Sequence, residues 1–250
     1  MMSLTETNLL SIVKKQYRYK TKANAGVFFN LIAAQMLAFL FSLNGVASSG
    51  GGSMEGMSYT IKHISGDIII IFTLIWAFMV GINMANNGFK IDFSFISNRQ
   101  SSHLSSIAFL LTAAVVGGLT ATLCGVLLRV VMFFAHSGVD TVSGFWIAPL
   151  TMLSSIFAAI LYTLLFSCLG YFVSMLVQRN KAFALLLPGL FFGTLMVETR
   201  STGQAQLLTN TLEFFTKESS PALFVLKIIL VSAVLLGSVI LFSDRMEVRK

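Results

Sequence analysis

Residues 107–134 read IAFLLTAAVVGGLTATLCGVLLRVVMFF, an apolar run carrying a single charge, Arg129. Crossing a hydrocarbon core of about 30 Å takes about 20 helical residues, and only a helix or a closed barrel satisfies its own backbone hydrogen bonds there. The run is far longer than a strand, so it spells a membrane-spanning helix. Five more stretches of the same character surround it, at 27–47, 67–84, 145–177, 182–197 and 222–242. With 56% hydrophobic and 11% charged residues, the chain lies far from a soluble domain, in which about 25% of residues are charged. The expectation is an all-α polytopic membrane protein with six transmembrane helices.

A net charge of +7 suggests nucleic acid until it is placed on the connections between the runs. Lys14, Lys15, Arg18, Lys20, Lys22, Lys90, Arg99, Arg179, Lys181, Arg245, Arg249 and Lys250 all fall on one side, with Glu6, Asp92, Asp244 and Glu247. The other side holds Lys62, Arg129, Arg200, Lys217 and Lys227 against six acids. The positive-inside rule then puts both termini in the cytoplasm and absorbs the charge without a nucleic-acid partner. A cleaved signal peptide is a poor account of the start: the basic segment is over-long and the apolar run exceeds the 7–15 residues of such signals.

The chain divides into an interfacial segment at 1–26, a six-helix membrane domain at 27–243 and a tail at 244–250, forming one domain. Ser3 and Glu6 have capping-box spacing, and Leu9, Val13 and Tyr17 recur every fourth residue beside a lysine-rich face. That pattern reads as an amphipathic cytoplasmic helix or as a juxtamembrane basic segment that fixes topology. The glycine-rich run at 48–53 is a tether, since it lacks the Lys and Ser/Thr of a phosphate loop. The connection 83–106 is more apolar than a cytoplasmic turn needs, through Phe89, Ile91, Phe93, Phe95 and Ile96. It suits docking to a cytoplasmic partner or lying on headgroups.

Small residues at Gly117, Gly118, Thr120, Cys124, Ser167, Cys168 and Gly170 favour close helix packing. Arg129 falls about 36 Å up the third helix from Ser105 and snorkels to the outer interface. Lys227, six residues after Pro221, reaches the same surface. The fifth run is short and contains Pro188 and Gly189, and Leu208, Leu212 and Phe215 after it share a helical face. These predict a broken or re-entrant outer segment between spans five and six.

Catalytic chemistry is not visible. His63, His103 and His136 fall on separate loops, no carboxylates pair inside a span, and Cys124 and Cys168 form neither a disulfide framework nor a metal motif. No catalytic residue and no metal site is expected, and no intramembrane acid suggests an ion-coupled carrier.

This set of parts resembles the type-two ABC exporter permeases, the class that includes drug, antimicrobial-peptide and lantibiotic-immunity exporters. The resemblance rests on the basic amphipathic start, six spans in 250 residues, the short fifth span with its external apolar segment, and FISNRQSSHLS at 95–105 leading into span three. It implies a bacterial cytoplasmic membrane, a second permease subunit, identical or paralogous, and separate nucleotide-binding ATPase subunits. ATP and Mg would sit on those subunits, this chain binding no cofactor itself. By the same resemblance Phe93, Phe95, Ile96, Asn98 and Arg99 are the ATPase-coupling candidates, braced by the N-terminal helix, and Asn30, Gln35 and Phe39 are candidates for lining a substrate path. The substrate implied is an amphipathic peptide, a lipid or a drug. A membrane protein that sequesters a peptide without transport, and an integral membrane enzyme, are the competing readings.

Overall fold

The computed structural model of the chain describes residues 9–43, 46–48, 61–63, 66–92, 99–135, 148–202, 206–216 and 220–244. The helices are α1 (Leu9–Ala23), α2 (Gly26–Leu43), α3 (Asp67–Asp92), α4 (Arg99–Ala135), α5 (Pro149–Arg179), α6 (Phe183–Thr202), α7 (Gln206–Thr216) and α8 (Pro221–Asp244). Between α2 and α3, strands β1 (Val46–Ser48) and β2 (Ile61–His63) form a short antiparallel ladder, with Ala47 opposite Lys62. Six of the helices, α2 to α6 and α8, are long and apolar enough to cross a membrane.

Successive long helices run in opposite directions, so the bundle has two ends. One is the end where α3 gives way to α4 and α5 to α6; it also carries α1. The core is built toward that end. Leu31, Trp76, Val80, Met84, Phe109, Leu110, Tyr171, Met175 and Val239 form the largest buried cluster, drawn from α2, α3, α4, α5 and α8. The opposite end holds a smaller cluster of Ala38, Ile69, Ala121, Leu128 and Met132.

The central crossing, α3 on α5, is a backbone contact. A Cβ placed on Gly81 would lie 2.6 Å from the amide nitrogen of Tyr171 and would collide with the carbonyl of Ser167; one on Gly170 would collide with the carbonyl of Phe78. Apolar side chains gain little by leaving lipid for protein, so close approach between small residues is what holds spanning helices together. Gly118 serves the same purpose between α4 and α5, where a Cβ would meet the backbone of Ile160 at 2.6 Å.

Several boundaries differ from the sequence expectation. The 83–106 connection is mostly helix: α3 continues to Asp92 and α4 already begins at Arg99. Asn86 does not end α3, and Ser102 and Ser106 do not delay α4, because Ser174 and Gln178 satisfy the first and Lys20 the others. The fourth span starts at Pro149, where proline's missing N–H is one of the helix's orphan positions anyway. The fifth is an unbroken 20-residue helix through Pro188, extended beyond 197 by Glu198, Thr199 and Arg200. At about 30 Å it matches a hydrocarbon core in length.

Candidate functional site

Among the described residues, most of the buried polar side chains gather at the α3–α4 end. On α1, the buried stripe is Gln16, Lys20 and Asn24, spaced four apart, while Lys14, Lys15, Arg18 and Lys22 are exposed. Lys20 is 0% exposed. Its ammonium donates to the Ser102 carbonyl at 3.0 Å, the Ser102 hydroxyl at 3.1 Å and the Ser106 hydroxyl at 2.9 Å. The serine hydroxyls accept through their lone pairs, while Ser106 sends its own proton to the Ser102 carbonyl. Asn24 closes α1 by donating from both its backbone and side-chain nitrogens to the Lys20 carbonyl, and the chain turns directly into α2. Gln16 contributes no bond: both of its amide atoms are buried and unpartnered.

One residue further along α4, His103 is buried, and its Nδ1 lies 2.9 Å from the Tyr171 hydroxyl of α5. His103 therefore belongs to a helix and an interhelical pair, and the expectation of three histidines on separate loops is corrected there. His63 ends β2, and His136 lies outside the described residues. The Asn86 carbonyl oxygen of α3 accepts from Ser174 and from Gln178 of α5, each at 3.1 Å. Ser101, Ser102, Ser105 and Ser106 are all buried, and they make the first turns of α4 a hydroxyl face rather than a membrane-facing one. The joint links α1 to α4, α4 to α5 and α5 to α3.

Residues 93–98 connect α3 to α4, whose first turns form part of this joint. Of the coupling candidates, Phe93, Phe95, Ile96 and Asn98 lie outside the described residues, and Arg99 is the first residue of α4. The path candidates do not share one surface. Asn30 is exposed on α2, and Phe39 packs against the smaller cluster. Gln35 is buried, donating to the Thr73 hydroxyl at 3.2 Å and the Thr120 hydroxyl at 3.0 Å. Those hydroxyls donate back to the carbonyls of Ile69 and Val116 in their own helices, so Gln35 ties α2, α3 and α4 together.

Toward the opposite end the polar ties belong to α7. The Glu198 carboxylate accepts from the Leu207 N–H at 3.0 and 3.2 Å, an acid at the positive end of the helix dipole. At the other terminus Lys227 donates to the Phe214 carbonyl at 2.8 Å and sits 3.7 Å above its ring. The Tyr162 hydroxyl donates to the Phe215 carbonyl at 2.7 Å. Lys227 is thus a partner of α7, in a bond that is itself exposed. Arg129 is half-buried, with Nη1 enclosed and unpartnered, so its guanidinium is not fully extended into solvent.

Among the described residues no three His, Cys, Asp or Glu side chains stand together as a metal site. Lys20, His103, Tyr162 and Glu198 were not legible as partners, although the four serines at 101, 102, 105 and 106 form a recognisable hydroxyl stripe. Comparison with protein-family models, curated proteins and solved structures finds no match.

Proposed function

We propose that this chain is the permease subunit of an ABC exporter, working with a second permease and with separate ATPase subunits. The observation that carries the reading is the joint at the start of α4, where α1 and α4 are fixed by three hydrogen bonds from one buried ammonium. A connection that receives force from a soluble partner needs such a mounting, because a loop on a loosely held helix would dissipate the movement. Coupling through Phe93, Phe95, Ile96, Asn98 and Arg99 would press on α3 and α4 together. Closure of an ATP-loaded partner would then shift the bundle between two arrangements, driven by its different affinity for each.

Two further features fit. No residue of α6 between 183 and 200 is buried, so this span has room for a second permease or a path beside it. The exposed Asn30 face of α2 offers the same. The bond from Tyr162 to Phe215 ties the end of α7 to α5 about 20 Å along that helix from Pro149, which supports an α7 that re-enters the outer leaflet. Both termini would then be cytoplasmic, and an amphipathic peptide, a lipid or a drug remains the class of cargo.

The test is purification of the tagged protein in mild detergent, with identification of co-purifying subunits and an ATPase assay. An associated nucleotide-binding subunit with vanadate-sensitive activity, lost in Phe95→Asp and Arg99→Glu while the bundle stays folded, is the expected result. Intact association in both variants would remove the coupling assignment. A lone chain without ATPase activity in several detergents would favour the sequestering protein or the enzyme.

A further inference from the structure

Helix α1 carries five cations and no acid over LLSIVKKQYRYKTKA. Lys20 is turned inward, and the other four are exposed. At 3.6 residues per turn, Lys14, Lys15, Arg18 and Lys22 fall within an arc of about 100°, opposite the stripe of Gln16, Lys20 and Asn24. Among the described residues none of the four forms an ion pair. The hold of Ser102 and Ser106 on Lys20 fixes the rotation of the helix, so this arc cannot turn toward the bundle. Exposed apolar side chains flank it, Leu10 on one edge and Tyr19 on the other.

Chain connection sets the height of this face. Only Asn24 and Ala25 separate α1 from α2, a span that begins at Gly26. The end of α1 therefore sits where hydrocarbon gives way to headgroups. A cationic arc bordered by Leu and Tyr at that level matches an anionic membrane surface better than the acidic face of a soluble protein, which would leave the flanking apolar groups in water.

We infer that the exposed face of α1 binds anionic phospholipid headgroups through Lys14, Lys15, Arg18 and Lys22. The inference rests on the six helices spanning a bilayer and not on the identity of any partner subunit. Because Lys20 joins the opposite face of α1 to Ser102 and Ser106, lipid charge would set how firmly the start of α4 is held.

Hydrogen exchange of residues 9–23 in the full-length protein tests this, in nanodiscs of phosphatidylcholine alone and of phosphatidylcholine with about 30% phosphatidylglycerol. Each cation near an anionic surface is worth about fivefold in binding. Exchange of α1 is therefore expected to slow at least about tenfold in the anionic discs at low salt. The slowing should vanish in about 0.5 M salt and in the variant Lys14→Gln, Lys15→Gln, Arg18→Gln, Lys22→Gln. Helix α7, which has no Lys or Arg, serves as the internal reference. Equal exchange in both discs, slowing that survives the quadruple variant, or equal slowing of α7 would each overturn the proposal. So would protection that appears only when an acidic soluble protein is added to neutral discs.

Discussion

The two halves of α5 lie in the same helix and have similar composition, yet they meet different surroundings. From Leu161 to Met175 nine residues are buried, against α3, α4 and α8. From Pro149 to Ile160 none is, and Leu150 is 80% exposed. The difference follows the distribution of backbone contacts and hydrogen bonds, not that of hydrophobicity. Lipid tails are as apolar as leucine, so a leucine-rich half-helix has no reason to prefer protein to bilayer. The buried half is held because Gly170 lets α3 touch it, and because Tyr171, Ser174 and Gln178 find partners on α4 and α3. One half of α5 is fastened to its neighbours, and the other is left largely exposed.

The largest test of that comparison is at the glycines. Gly81→Val should prevent α3 and α5 from closing, with a cost of about 3 kcal/mol or more and loss of the folded monomer on size exclusion. Gly237→Ala, where a Cβ meets nothing within 4 Å, should be neutral or stabilise by up to about 1 kcal/mol. Equal thermal stability of the two variants would mean that backbone approach does not hold the fastened half.

Next in size is Lys20→Ala, which removes the three bonds from its ammonium to Ser102 and Ser106 and leaves a gap. A local loss of about 2–3 kcal/mol is expected. Hydrogen exchange should rise in 9–23 and in the first turns of α4, with 221–241 unaffected. A uniform rise across the chain would show that Lys20 supports the whole bundle rather than the joint. Gln16→Leu, four residues earlier, should move stability the other way by about 1 kcal/mol, since it replaces a buried amide with no partner by an apolar group.

The spans were legible because membrane thickness imposes a length that composition reveals directly. Their ends were not, because Asn86 and Ser101–Ser106 look like a loop until Gln178, Ser174 and Lys20 are known to satisfy them. For α1 the periodicity was readable, and Leu9, Val13 and Tyr17 share a face with Gln16, Lys20 and Asn24, but hydrophobic pattern gave no reason to bury polar side chains there. Pro188 suggested a break because proline removes a helical hydrogen bond; the helix nevertheless continues through it. Gly81 carried no signal beyond its residue type, since the need for glycine there comes from Ser167 and Tyr171 on another helix.

A matched pair of tyrosines compares the two ends more finely. Tyr171→Phe deprives the buried His103 of its hydroxyl partner and should cost about 1–2 kcal/mol. Tyr162→Phe removes a hydroxyl from the Phe215 carbonyl, which lies at the end of α7 and near its dipole partner Lys227. A smaller cost, about 0.5–1 kcal/mol, and detachment of α7 alone are expected. Thermal unfolding in one detergent ranks the two, and a larger effect at Tyr162 would place the fastened end on the wrong side.

The smallest expected effect lies midway, at Gln35. Gln35→Leu removes two amide hydrogen bonds but orphans neither acceptor, because Thr73 and Thr120 keep their bonds to Ile69 and Val116. Bonds of this kind between membrane helices average about 0.6 kcal/mol, and the volume change is small. Thermal stability should therefore fall by no more than a few degrees, and the spans should stay assembled. Asn30→Leu, on the exposed face of α2, should leave stability unchanged. If either substitution abolished the proposed export while stability held, that residue would belong to the proposed path. If Gln35→Leu instead unfolded the protein, the boundary between fastened and free halves would have to move outward past Thr120, and α2 would count among the helices that cannot separate.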